Sequence, residues 1–438
     1  MKKNKKLIII TFVALTLCLM ACGPKKDTQK NISKDEKTND RVELDFWTFW
    51  GGGSRREVIE EIIQEFNDSQ DAIEVKHKYQ PWGDIWTKSL AAIAAGNPPD
   101  VIVQDINSVR QRAEAKQNTN IQSFLKSEDK ERFYPQLWET ALYEDEAYGL
   151  PFNTDTRVIF YNKKLMKEVG VSEEEMPTTW KEIEILAKKL DIKKDNKYER
   201  IGFYPMWHVE ADTWALNADG GVSWFDDEEK VKIDTPYKVE ALQWLIDWKK
   251  HYGTDTINQY EAEFGSGVAD PFLSGLVAMR ADNLNYYSNI MDNASEDFEF
   301  GVIQLPEREE GTGHWSWGGG FVVEIPFGAE HPEESFEFMN YLTSKNVQMK
   351  FGEKSFDIMA NQEANLALVK GDSLDQTGKM IYAMADKNFR ETTLTPTPLS
   401  APGFQSVLKG YLDDILLGKT TPEKGLSDAQ KAVEKLQE

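Results

Sequence analysis

Val42-Glu43-Leu44-Asp45-Phe46-Trp47-Thr48-Phe49-Trp50-Gly51-Gly52-Gly53-Ser54 opens the folded part of the chain. Val42, Leu44 and Phe46 alternate with polar neighbours, the period of a strand with one buried face. The glycines stop that strand, and beyond them Val58, Ile59, Ile62, Ile63 and Phe66 recur at the spacing of a helix face. Ser54 with Glu57 three residues on has the pattern of a capping box at the helix start. The same order then repeats. Ile73 to Tyr79 reads as a strand, Pro81 to Ala95 as a helix carrying Trp82 and Trp86 one turn apart, and Pro99 to Gln104 as a buried strand ending in Gln104-Asp105. Strands alternating with helices predict an α/β fold with mostly parallel sheets, in which ligands bind beyond the carboxyl ends of the strands. That position makes Trp47, Trp50, Gln104 and Asp105 candidates for a site.

A glycine loop entering a helix presents free N–H groups and often holds phosphate. Neither GxxxxGK[ST] nor GxGxxG occurs here, and a neutral ligand with hydroxyl groups uses such donors equally well. The 438 residues and 40% hydrophobic content are ample for a buried core, and the length favours two lobes over one.

The amino-terminal segment has a basic opening (Lys2, Lys3, Lys5, Lys6) and an apolar run from Leu7 to Met20, too short for the roughly 20 residues that span a bilayer. It reads as an export signal. Its end, Leu19-Met20-Ala21-Cys22, resembles a bacterial lipobox, which implies a leader over 1–21 and a lipid on Cys22. Gly23 to Asp40 contains one large apolar residue, Ile32, so 22–40 is expected to be a flexible tether. With Cys18 in the leader and Cys22 lipidated, no cysteine remains for a disulfide, a thiolate metal site or a nucleophile. Loss of the leader's four lysines takes Lys+Arg from 51 to 47 against 74 acidic residues, and the net charge from −23 to −27. Such a surface disfavours nucleic acid and other polyanions.

Further motifs lie along the folded region. Ala91-Ala92-Ile93-Ala94-Ala95-Gly96-Asn97-Pro98-Pro99-Asp100-Val101, Tyr148-Gly149-Leu150-Pro151-Phe152 with Val158-Ile159-Phe160-Tyr161-Asn162-Lys163, and Pro177-Thr178-Thr179-Trp180-Lys181-Glu182 occur in that order. Phe272-Leu273-Ser274-Gly275-Leu276-Val277-Ala278-Met279 and Gly318-Gly319-Gly320-Phe321-Val322-Val323 come after them. Together they resemble the family 1 extracellular solute-binding proteins, the sugar-type receptors of ABC importers. Thr179 and Glu182 also form a capping box, which accounts for their spacing without appeal to function.

The resemblance implies a two-lobed periplasmic-binding-protein-like fold with a carbohydrate, an oligosaccharide above all, held between the lobes. It implies crossings near Asn153 to Thr156, Val268 to Phe272 and Trp317 to Gly320. Lobe I is then expected over 41–154 plus 272–318, and lobe II over 155–271 plus 319–438. Gly318-Gly319-Gly320 fits either a hinge or a tight strand entry. The family further implies a permease and, through it, an ATPase as partners, a monomeric receptor held at the extracytoplasmic face of the cell membrane only by its lipid, and no cofactor or metal.

A sugar offers apolar C–H faces and a rim of hydroxyls, so its pocket needs flat aromatic surfaces beside hydrogen-bonding side chains. The chain has 13 tryptophans. Those in loop contexts, Trp47, Trp50, Trp82, Trp224, Trp315 and Trp317, are the stacking candidates. Gln104, Asp105, Asn153, Asp155, Asn217, Asp282, Asn283 and Arg390 are the polar ones, and any of them also fits an ordinary loop group or cap. Trp138, Trp180, Trp244 and Trp248 read as core. An acidic, aromatic cleft also suits a glycoside hydrolase, whose two carboxylates flank the scissile bond. With 74 acidic residues, counting carboxylates does not separate the two readings. The chain has no GxSxG, no HExxH and no ligand spacing among its five histidines.

Overall fold

The computed structural model describes residues 41–438 apart from 227, 264–269 and 395–397. The expected leader, the tether and Cys22 lie outside the described residues, as do Val268 and Ala269 of the expected second crossing.

The strands that build the two main sheets and their junction are, in chain order, β1 (Val42–Thr48), β2 (Ile73–Tyr79), β3 (Val101–Asp105), β4 (Leu150–Asp155) and β5 (Arg157–Asn162). They continue as β6 (Met279–Asn283), β7 (Phe300–Gln304), β8 (Ser316–Trp317), β9 (Gly319–Glu324), β10 (Ile358–Met359) and β11 (Thr392–Thr393). The helices that position the site are α1 (Gly53–Ser69), α2 (Asp84–Ala94), α3 (Val109–Glu114), α4 (Trp180–Leu190), α5 (Ala211–Ala218), α6 (Pro236–Tyr252), α7 (Gln376–Phe389) and α8 (Phe404–Leu416).

The first sheet runs β10-β4-β9-β3-β1-β2. β1 lies parallel to β2 and β3, because α1 and α2 carry the chain back across the sheet between successive strands. β9 is antiparallel to β3 and β4, and β10 to β4. The second sheet, β6-β5-β7, is antiparallel throughout. The fold is α/β and two-lobed as expected, but its sheets are not mostly parallel. Only the first three strands are joined by helical crossovers; β9 arrives from the other lobe and enters the sheet in the reverse direction.

Strand pairing also places the returning segments differently from the expected boundaries. β6 and β7, within 272–318, pair with β5, and β9, within 319–438, pairs with β3. The chain therefore stays with the second lobe past Gln304, where Leu305 joins its core and Arg308 donates to the Ala218 carbonyl, and leaves it through β8. The stretch leading into β6 packs in the same lobe, where Val277 and Met279 share a core with Leu245 and Trp248. The described part of the expected crossing at 268–272 is thus internal to one lobe. A crossing not anticipated lies at β11, which pairs in parallel with β8.

Lobe I closes α1 (Val58, Ile59, Ile62) over Phe46 and Leu44. Lobe II packs α4, α5, α6 and α8 around Trp180, Trp214 and Leu245, and the expected core residues Trp244 and Trp248 are there. Both faces of β5 are covered: Ile159 and Tyr161 join the lobe II core, while Val158 and Phe160 meet Ile381 and Tyr382 of α7. That is why Val158-Ile159-Phe160-Tyr161 is a continuous apolar run and not an alternating one. The capping box at Thr179 and Glu182 forms. At α1 it does not: the helix begins at Gly53 with Gly52 as its cap, and no side chain bonds there.

The glycine triplet is a close approach and not a flexible hinge. A Cβ on Gly320 (φ +141°) would stand 2.2 Å from the carbonyl oxygen of Asn153, whereas one on Gly319 meets nothing nearer than 3.6 Å. Gly320→Ala is expected to cost about 3 kcal/mol through clash and backbone strain, and Gly319→Ala well under that, in parallel urea unfolding curves. Equal midpoints would contradict the close packing of the two strands.

Candidate functional site

A cavity of about 760 Å³ opens between the lobes. Lobe I supplies Gln104 and Asp105 at the end of β3, Asn107 and Ser108 just beyond them, Gln111 and Arg112 on α3, and Trp86 and Leu90 on α2. Lobe II supplies Glu210, Ala211 and Asp212 at the start of α5, Ser223 and Trp224 from the loop beyond it, and Phe404, Leu408, Leu412 and Leu416 along α8. Trp317 of β8 stands at the junction. The site lies beyond the carboxyl end of β3, where an α/β sheet leaves its strand ends open.

Of the candidates read from the sequence, Gln104, Asp105, Trp224 and Trp317 line this cavity. The others are placed around or away from it. Trp50 is 3% exposed and packs on Phe152 and Phe351. Asn153 is buried, donating to Asp357 at 3.2 Å and accepting from the Phe321 N–H at 3.0 Å, so it cross-links strands. Asp155 accepts from the Gly319 N–H at 2.9 Å and from Asn283 at 3.2 Å, which ties both residues to the junction. Asn217 accepts from Trp180 Nε1 at 3.0 Å and donates to the Trp315 carbonyl at 2.9 Å. The Trp315 ring is wedged against the backbones of Gly221 and Gly313. Asp282 is held by Arg280 at 2.6 Å, Trp47 is half-buried on β1, and Arg390 is exposed at the end of α7. Trp82 is 60% exposed and leans edge-on against Trp86.

Sequence reasoning missed Asn107, Glu210, Asp212, Trp86 as a lining residue, and all of α8. Asn107 comes two residues after the chosen pair Gln104-Asp105 and was within reach of the strand-end argument. The stripe Leu408, Leu412, Leu416 carried no usable signal, since i, i+4 leucines normally mark a face turned to the core.

The electrostatics of the site are one-sided. Arg112, the cation of the lobe I wall, is committed: its guanidinium meets Glu324 at 2.6 and 3.0 Å, the Asp105 carbonyl at 3.1 Å, and Ser108. Lys409, on the opposite wall, pairs with Asp413 one turn along α8. The carboxyls are less well compensated. Burial pushes the Asp105 carboxyl above the usual range, opposed by the Asn107 N–H it caps and by Arg112. Asp212 is raised by burial and by the neighbouring Glu210 charge. Two polar atoms of lining residues, Trp86 Nε1 and Asn107 Oδ1, are shielded with no partner among the described residues, as expected where a ligand completes the hydrogen bonding. Across the mouth, Arg110 of α3 reaches Glu229 of the second lobe at 3.5 Å.

This is a two-lobed binding protein with its site in the interlobe cleft. A model of the bacterial extracellular solute-binding proteins matches residues 52–349, and the chain belongs to that family. It is 24% identical over 410 residues to the sn-glycerol-3-phosphate-binding periplasmic protein UgpB of Brucella melitensis, covering 87% of this chain and 91% of that protein. Among solved structures it resembles CpMnBP1 with mannotriose bound, at TM-score 0.76 and 25% identity over 90% of this chain and all 100% of that one. It also shares the fold of the maltose/maltodextrin-binding domain MalE from Bdellovibrio bacteriovorus bound to maltotriose, at TM-score 0.70 and 17% identity over 90% of this chain and 99% of that one.

A buried carboxyl with a raised pKa binds more protons folded than unfolded, so its contribution to stability falls as pH rises through the window above its unfolded value, about 3.9 for Asp. Asp212→Asn is therefore expected to raise the melting temperature of the ligand-free protein at pH 7, with the gain shrinking towards pH 4. A variant less stable than the parent at pH 7 would show that the Asp212 charge is compensated in the free protein.

Proposed function

We propose that this protein is the substrate-binding component of an ABC importer, capturing a neutral carbohydrate in the interlobe cleft and presenting it to a membrane permease served by an ATPase. The observation that carries this reading is the lining itself. Trp317 and Trp86, both half-buried, offer flat apolar surface beside the acceptors Asp105, Asp212 and Glu210, whereas Trp224 is 5% exposed and belongs to the lobe II core; the buried lining cation Arg112 is already paired with Glu324. Hydroxyl groups can donate to such carboxylates and C–H faces can stack on the indoles. A phosphate would meet net negative charge, with Arg112 committed to Glu324 and only the exposed Lys409, loosely paired with Asp413, as a further cation among the described lining residues. That supports a ligand like the oligosaccharides in the mannotriose and maltotriose complexes over the glycerol phosphate named for the Brucella relative.

In this reading no covalent step or cofactor is used. A sugar touching both lobes makes contacts that only the closed arrangement completes, so binding shifts the population towards closure, which the permease reads. The receptor works as a monomer at the extracytoplasmic face, tethered through a lipid on Cys22.

A thermal-shift comparison tests the ligand class. A ligand at 100 times its dissociation constant adds about 2.7 kcal/mol of stability, so neutral oligosaccharides are expected to raise the melting temperature and sn-glycerol 3-phosphate to leave it unchanged. The reverse result would replace the carbohydrate reading, and release of shorter sugars from a stabilising oligosaccharide would favour the hydrolase. Trp317→Ala is expected to weaken sugar binding by about 2 kcal/mol, roughly thirtyfold.

Anchoring is tested separately. Cys22→Ser is expected to release the protein from the membrane fraction or leave it unprocessed, with sugar affinity intact. Continued partition into the detergent phase would contradict a lipid on that residue.

A further inference from the structure

The cavity does not end where the lobes enclose it. Trp86 and Leu90 share one face of α2, and Trp82, in the turn before the helix, packs against Trp86 at 4.8 Å. Trp86 and Leu90 line the cavity, and Leu90 is still 46% exposed. Trp82 stands beside them, outside the enclosed lining. From lobe II, α8 lines the cavity with Leu412 and Leu416, half-buried against the core that holds Leu408, and with the polar Gln405, Lys409 and Asp413. The outer cleft thus has an aromatic patch on the lobe I side and a mixed polar and apolar face on the lobe II side.

Trp82 is built to stay in place without being buried. Its ring meets Phe49 at 4.7 Å and 89°, Trp86 at 4.8 Å and 75°, and Phe321 at 5.8 Å and 89°. Three edge-to-face contacts hold the indole, and the turn beneath it is closed by bonds from the Asp84 and Ile85 N–H groups to the Pro81 carbonyl. Yet 60% of its surface faces solvent. A flat, rigid, exposed ring continuous with the wall of a ligand cavity provides a stacking surface at little conformational cost.

We propose that this outer part of the cleft is a groove holding the outer units of a linear oligosaccharide whose inner units occupy the cavity, with Trp82 stacking on a sugar beyond the enclosed ones. The assignment rests on the carbohydrate reading and narrows it: the ligand is a chain long enough to run out of the cleft along α2. The C–H face of an outer pyranose suits the exposed Trp82 ring, while its hydroxyls stay towards water and the polar side chains of α8.

The test is calorimetric titration of the full chain with linear mannose and glucose oligosaccharides of two to six units, using the parent, Trp82→Ala and Trp82→Phe. The expected result is affinity that rises with length in at least one series. Trp82→Ala should lose about two- to tenfold on the longest members, leave the shortest unchanged, and be partly rescued by Trp82→Phe. Affinity that levels off at the disaccharide, or a Trp82→Ala effect equal at all lengths or absent, overturns the groove and leaves the carbohydrate reading standing. Binding to none of these sugars at any length counts against the carbohydrate reading itself, and the groove falls with it.

Discussion

A small buried knot of hydroxyls and amides holds the two lobes at their junction. Thr156 Oγ1 lies 2.7 Å from Thr392 Oγ1 and 3.1 Å from Ser316 Oγ, which accepts the Arg157 N–H at 2.7 Å. Asn388 donates to Thr156 and, at 3.0 Å, to the Arg157 carbonyl. All of these side chains but that of Arg157 are buried. Three chain segments meet there: the step from β4 to β5, the step from β8 to β9, and β11. Each buried polar group satisfies another from a different segment, and losing one would leave its partners unpaired in a dry environment. This knot also sets the geometry of the cleft, since Trp317 lies next to Ser316 in β8 and its carbonyl is held by Arg157 at 3.1 Å.

The cleft shows how charge can be arranged to leave a preference. Arg112 and Glu324 form a buried, bidentate pair; alone, either would be costly to bury. Together they brace the wall of lobe I and remove a cation that would otherwise attract anions. What remains in the lining is mostly carboxylate beside the exposed Lys409, with Asp105 and Asp212 held in environments that disfavour their charge. A site of this kind gives up stability in the free protein for hydrogen-bond acceptors ready to meet a hydroxylated ligand.

Motion between the lobes has to be reconciled with close packing at the crossings. Gly318 and Gly320 sit so near Thr392 and Asn153 that neither has room for a Cβ. Freedom to rotate therefore cannot come from the glycines as loose links. The helices of the region after β10 add a further constraint, since α7 packs on the β5 sheet through Ile381 and Tyr382 while its last residue, Phe389, joins the lobe I core.

By itself the sequence determined the α/β class, the strand-loop-helix order at the start, the family, and two strand-end residues that line the cavity, Gln104 and Asp105. These are short-range matters: periodicity, glycine breaks and strand ends are properties of neighbouring residues. The capping box at Thr179 was legible for the same reason; the one expected at Ser54 does not form, because α1 begins at Gly53 and Ser54 lies inside its first turn. Tertiary structure alone decided which sheet β6, β7 and β9 join, that Trp50 is core while Trp317 faces the cleft, and that α8 lines the cavity. Those outcomes depend on pairing between segments far apart in the chain, such as Thr156 with Thr392. A tryptophan after a strand, or a leucine stripe on a helix, has the same local pattern whether the surface it meets is its own core or the opposite lobe.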